Sequence, residues 1–210
     1  MIRLVADSSC DVYTLPGVDF RAVPLHISTD DGRAFIDDPE LNVGEMVDCL
    51  HSHKGRSYTA CPSVAAWLEA FEGADTVYVV TITSGLSGSY NSAKVAADLY
   101  QQASPEASVH VFDSLSTGPE ELLLLEKLRE LVNAGLEFEE VIRQAEDYMG
   151  HTRLFFSLHS LHNLAQNGRI GKVTAAAVSV MNIRVIGTAS PEGTLATIGK
   201  ARGDKRAETV

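Results

Sequence analysis

Cysteine is scarce in this 210-residue chain: Cys10, Cys49 and Cys61 are its three, and no two stand in C-x-x-C spacing. That argues against a disulfide scaffold and suits a reducing compartment. Positive charge is also in deficit, with 17 Lys and Arg against 28 Asp and Glu and a formal net charge of −11. A nucleic-acid binder would instead present a basic face. No apolar run approaches membrane-spanning length, because the long uncharged segment from Thr76 to Ala93 is interrupted by Gly, Ser and Asn. Repeats and low-complexity tracts are missing too. The N-terminus enters a strand pattern at once, at Ile2 to Ala6, which leaves no room for a signal peptide, so a cytoplasmic location is expected.

What is present is ordinary for a globular protein: 45% hydrophobic and 21% charged residues, in a chain long enough for one domain or for one domain and a smaller lobe. Two short segments run against the acidic average, Arg169 to Lys172 and Lys200 to Arg206. Each reads as a solvated face or as a docking patch for an anionic partner.

The most informative stretch runs from Thr81 to Ala93. Before it, Thr76 to Val80 has the β-branched and aromatic content of a buried strand. After it, Ala93 to Leu99 has the pattern of an amphipathic helix. The connection holds Thr83, Ser84, Ser87, Ser89 and two glycines, Gly85 and Gly88, without a charge. Such a turn aims backbone N–H groups and the positive end of a helix dipole at its contents, and is therefore expected to hold an anion. A phosphate loop needs a Lys, which is missing here, and the dinucleotide G-x-G-x-x-G is not matched. A carboxylate fits better than a polyphosphate.

Strand and helix patterns alternate through the first 150 residues. Strands are expected over 2–6, 20–28, 76–82 and 108–113, and helices over 43–53, from Ser63 to Phe71, over 119–134 and over 138–149. Asn42 with Glu45 forms a capping box, and Gly135 closes a helix. The alternation predicts an α/β fold with a mostly parallel sheet covered by helices. After Gly150 a second, smaller lobe is expected over 151–210: a strand from Arg153 to Leu158, a short helix over 160–167, an apolar helix over 173–181 and a hairpin over 183–200 around Pro191 to Gly193. In parallel sheets ligands gather at the carboxyl ends of the strands. Asp7 to Ser9, Thr83 to Ser89 and Asp113 to Ser114 all leave strands there.

Several residues carry two readings. Thr59 reads as a helix N-cap or as a ligand contact. Cys61 lies at a helix start, where a thiol can be activated, but reads first as packing. The His51/His53 and His159/His162 pairs are weak metal patterns, so no metal is expected. The run Leu122 to Leu125 with Leu128 and Leu131 is core, in part lipid-facing. A rival functional reading is a serine hydrolase: Gly85 to Ser89 nearly spells the G-x-S-x-G elbow, with Ser87 as nucleophile, Asp113 as acid and His151, His159 or His162 as base. Ser89 in place of the last Gly counts against it. A third is an interaction module that keeps the fold alone.

Taken in order, these segments resemble the DegV family. Asp7-Ser8-Ser9 with Asp11 is similar to its D-S-S-x-D, and Thr59-Ala60-Cys61-Pro62-Ser63 to its T-S-Q-P-S. Thr83 to Tyr90 is similar to S-S-G-L-S-G-T-Y, Val111 to Ser114 to V-x-D-S, and Gly168-Arg169-Ile170 to G-R-I. Asn182 to Ile186, Gly193 and Lys200 to Arg202 complete the pattern. The resemblance implies a long-chain fatty acid held with its tail in a tunnel between two lobes, no other cofactor and no catalytic group. It implies that Thr59 and Ser84 or Ser87 hold the carboxylate, with Thr83 and Gly88 in the same loop. It further implies an ATP-dependent fatty acid kinase as partner, faced by Arg169 and Arg202. Family members continue beyond the position of Val210 with a glycine-flanked His that reaches the carboxylate, so the second lobe is expected to be short here. Gly118-Pro119-Glu120 replaces the family's G-x-G.

Overall fold

The structure is a computed structural model that describes residues 1–158, 160–170 and 183–202. The helix expected over 173–181 lies outside the described residues. Four parallel strands form the main sheet, β1 (Ile2–Asp7), β2 (Asp19–Val23), β6 (Thr76–Thr81) and β7 (Ser108–Asp113), in the order β2-β1-β6-β7. The intervening strands β3 (His26–Thr29), β4 (Ala34–Ile36) and β5 (Ser57–Ala60) make an antiparallel sheet, β4-β3-β5. A third sheet, also antiparallel, has the order β10-β9-β8, from β8 (Phe155–Leu158), β9 (Ile183–Ala189) and β10 (Leu195–Arg202).

The single strand expected over 20–28 is thus two strands in two sheets. Pro24 lies between them, and with no N–H to donate it marks where the chain leaves the parallel ladder. The strand β5 carried no signal in the sequence because Ser57, Tyr58, Thr59 and Ala60 are partly or fully exposed, and pairing with β3 alone makes them extended.

Helices cover both faces of the parallel sheet. Successive strand residues point to opposite sides. Leu4, Ala6, Tyr78 and Val80 face α4 (Pro119–Asn133) and α5 (Phe138–Met149), whereas Val5, Val77, Val79 and Val111 face α2 (Val64–Phe71) and α3 (Ser89–Ala103). Leu124, Leu125, Leu128 and Leu131, spaced for one helical face, complete the first layer. At about 1.5–3 kcal/mol for each large apolar side chain removed from water, these two layers hold the frame on which the loops rest. Two further helices are short or peripheral, α1 (Val43–Ser52) and α6 (His162–Gln166). Asn42 caps α1 by accepting from the Glu45 N–H at 3.2 Å, as the capping box required.

Candidate functional site

The strand order reverses between β1 and β6, and in such sheets this is where ligands bind. The three strand ends expected to converge are hydrogen-bonded to one another. Asp7, the last residue of β1, accepts from the Ile82 N–H at 3.1 Å and from the Ser89 hydroxyl at the start of α3. Asp113, the last residue of β7, accepts from the N–H groups of Ser84 at 3.0 Å and Leu115 at 3.2 Å with the same oxygen.

The loop between β6 and α3 spends three of its N–H donors on itself and three on neighbouring segments. The Gly85 N–H goes to the Thr83 hydroxyl at 3.1 Å, and those of Leu86 and Ser87 go to the Thr83 carbonyl. The expected row of free amides is thus shortened to the head of α3, where the N–H groups of Gly88, Tyr90 and Asn91 have no bond among the described residues, because the turn before it uses its own N–H groups to become rigid. Also open to an anion are the hydroxyl of Ser84, which has no bond among the described residues, and the proton of Ser87, whose oxygen accepts from the Ser89 N–H at 3.2 Å. To these the start of α3 adds its dipole. Thr83 itself is buried, and its hydroxyl donates to the Gly193 carbonyl at 2.9 Å.

These residues form one wall of a cleft of about 620 Å³. Ser84, Gly85, Leu86, Ser87 and Gly88 lie along one side, and Asn167, Gly168, Arg169, Ile170, Thr194 and Leu195 along the other. Arg169 spans it, donating to the Leu86 carbonyl at 3.3 Å and to the Asn167 carbonyl at 2.7 Å. At Ile170 and Leu195 the cleft meets an apolar hollow of about 30 Å³, lined also by Phe156, Leu158, Leu161 and Val185 under the β8–β10 sheet. A second cleft, about 550 Å³, lies beyond the hairpin turn, where Leu115, Met149 and Leu154 meet Glu120, Glu146 and Arg153.

Ser84, Ser87, Gly88 and Arg169 are therefore brought together. Thr59 is an exposed residue of β5, opposite Ile27 of β3, and is not among the residues lining the cleft. It does not cap α2, whose cap is Ser63, accepting from the Ala66 N–H at 3.2 Å. The segment after Thr59 does reach the loop: a side chain at Gly88 would lie 3.3 Å from the Cys61 sulfur, and the Ser92 hydroxyl donates to the Pro62 carbonyl at 2.8 Å. Arg202 is exposed at the end of β10, away from the cleft lining. Asn167, Thr194 and Leu195 were missed by the sequence reading, since single polar or aliphatic residues far from the loop carry no local signal.

The hydrolase reading finds no support among the described residues. Asp113 is occupied by two backbone N–H groups, Ser87 serves as an acceptor, and His151 pairs with the Asp147 carbonyl at 2.7 Å. His159 and the side chain of His162 lie outside the described residues. Among the described residues no group of three His, Cys, Asp or Glu could hold a metal ion, and no helix is long and apolar enough to cross a membrane.

Comparisons with known proteins agree on one family. A model of the DegV family, described as an uncharacterised protein family, matches residues 1–209. A DegV domain-containing protein of Streptococcus pneumoniae is 43% identical over 208 residues, 97% of this chain and 74% of that protein. A DegV family protein of Eubacterium eligens, crystallised with heptadecanoic acid, superposes with a TM-score of 0.95 at 55% identity, covering 98% of this chain and 74% of that one. The Fatty Acid Kinase (Fak) B3 protein of Streptococcus pneumoniae, loaded with linoleic acid, has a TM-score of 0.95 at 42% identity, covering 99% of this chain and 75% of that one.

Proposed function

The chain belongs to the DegV family, and on that premise we propose that it binds a long-chain fatty acid and presents its carboxylate to an ATP-dependent fatty acid kinase, without catalytic groups of its own. The observation that carries this reading is the junction at Ile170 and Leu195, where a cleft walled by hydroxyls meets an apolar hollow. A carboxylate needs donors at one end and its tail needs apolar walls at the other. In this reading the Ser84 and Ser87 hydroxyls hold the carboxylate at the head of α3, with Thr83 and Gly88 shaping the loop and Thr59 approaching from β5. The tail passes from the cleft, which lies between a lobe of residues 1–150 and a smaller lobe of residues 151–210, into the hollow, whose lining belongs to the smaller lobe. A volume of about 30 Å³ admits little more than one water, so the hollow widens around an acyl chain. Arg169, beside the carboxylate, and Arg202 face the kinase, where a guanidinium suits phosphate through its planar paired donors.

The test is displacement of a fluorescent fatty acid from the purified protein and from Ser84→Ala, Ser87→Ala and Thr59→Val. Loss of a hydrogen bond to a charged group costs about 1.5–3 kcal/mol, so each residue that holds the carboxylate weakens binding by about tenfold or more. Equal affinity in all four proteins would remove these hydroxyls from the site.

A further inference from the structure

Beneath the loop, outside the proposed carboxylate site, lie two buried carboxyls. Asp7 and Glu121 are both fully buried, and the hydroxyl of Ser9 stands between them, bonded to Asp7 Oδ1 and 2.7 Å from Glu121 Oε1. Ser9 has one proton to give and two acceptors to satisfy. With both carboxyls ionised, one of those oxygen–oxygen contacts would hold no hydrogen, deep in a site where a lone charge is costly. One acid therefore carries a proton of its own.

The partners say which. Burial raises the Asp7 carboxyl too, but Asp7 receives three donors that pull it back, the hydroxyls of Ser9 and Ser89 and the N–H of Ile82, an arrangement that suits an anion. Glu121 Oε2 has no partner among the described residues. The titratable groups facing Glu121 are Asp7 from β1 and Cys10 and Asp11 from the turn that follows, and none is a cation. Burial and the Asp7 charge both push its carboxyl well above the ordinary range.

We propose that Glu121 is a neutral acid that donates its proton to Ser9, so that Glu121, Ser9, Asp7 and Ser89 form one relay fixing the first turn of α3. Glu121 is a positioning residue in this scheme. Only its effect on fatty acid affinity rests on the function proposed above; its protonation does not.

The primary test is infrared spectroscopy at neutral pH, which should show the C=O stretch of a protonated carboxylic acid that disappears in Glu121→Gln. The second readout is stability against pH. A carboxyl raised in the folded state contributes stability that is present below its ordinary value of 4.5 and is lost as pH rises. The folding constant of the wild type relative to Glu121→Gln should therefore fall about tenfold per pH unit above that value, until folded Glu121 itself ionises. For affinity, Glu121→Ala should weaken oleate binding by about tenfold, the worth of one hydrogen bond, and Glu121→Gln, whose amide donates as the acid does, should restore it. No acid band, a band that survives Glu121→Gln, or a flat pH ratio would overturn the proposal. Unweakened oleate binding by Glu121→Ala would overturn its positioning role. A wild type that shows the band and the slope but binds no oleate would uphold the relay and count against the proposed function alone.

Discussion

Thr83 and Gly193, 110 positions apart in sequence, are joined by a buried hydrogen bond of 2.9 Å from the threonine hydroxyl to the glycine carbonyl. The contact fastens the turn of the β9–β10 hairpin onto the loop that precedes α3. Gly193 has φ of +70°, and a side chain there would collide with the Thr83 hydroxyl. On the other side, a side chain at Gly85 would stand 2.8 Å from the Gly193 carbonyl oxygen. The two backbones approach so closely that neither position has room for a Cβ.

Gly193→Ala should therefore loosen the loop. The left-handed backbone alone costs about 1–2 kcal/mol for a residue with a Cβ, and displacing Thr83 adds to that. A lowered melting temperature together with weakened fatty acid binding is the expected outcome. Calorimetry and displacement titration on the same sample check it.

The hollow beneath the third sheet sets a second expectation. Each buried methylene is worth about 0.8 kcal/mol, so affinity should climb with chain length until the tail fills the space. Leu195 lines both the cleft and the hollow. Leu195→Trp should flatten that ladder for long chains and leave short-chain acids nearly unaffected. A ladder of unchanged slope would move the tail elsewhere, the cleft at Met149 and Leu154 being the next place to look.

Thiol chemistry gives a third. Cys10 and Cys49 are buried, and burial pushes the Cys10 thiol up to about 12, so it stays protonated and unreactive in the folded protein. Cys61 is partly exposed beside Gly88. Iodoacetamide should label Cys61 alone in the native state, and bound oleate should slow that labelling. Peptide mapping after alkylation reads both results.

The two arginines should separate by assay. Arg169 bonds the Leu86 carbonyl inside the cleft, so on the proposed function Arg169→Glu would set a carboxylate beside the ligand's own and should weaken fatty acid binding. Arg202 is exposed on β10, and Arg202→Glu should leave binding intact while slowing acyl-phosphate formation with a cognate kinase. Displacement titration and a coupled phosphorylation assay, run on both variants, check the pair.

Much of this was legible in the sequence because it is local. The β-branched run from Thr76 to Thr81 followed by small residues announced a strand, a turn and a helix start, and the alternation of such units announced a parallel sheet. The leucines from Leu124 to Leu131 announced their own face. Three things were less local. The strand β5 consists of exposed, partly polar residues, and only its pairing with β3 makes it a strand. The first turn of α3 begins at Ser89, four residues before the apolar pattern does, because its buried Ser89 is held by Asp7 rather than by packing. The opposite wall of the cleft depends on Asn167, Thr194 and Leu195, which a chain reading cannot bring to Ser84 without the fold. Glu121 was hidden for a similar reason: in an acidic helix start it looks like a dipole-favoured surface residue, and only its burial against Ser9 gives it a different part.

The central claim, that this chain holds a long-chain fatty acid, is tested most directly by native mass spectrometry of the protein purified from bacteria, followed by solvent extraction and identification of the released species. The account predicts one fatty acid of long chain per protein molecule, displaced by added oleate and retained poorly by the double variant Ser84→Ala/Ser87→Ala. Protein that flies at its bare mass, and stays so after incubation with oleate, would contradict it.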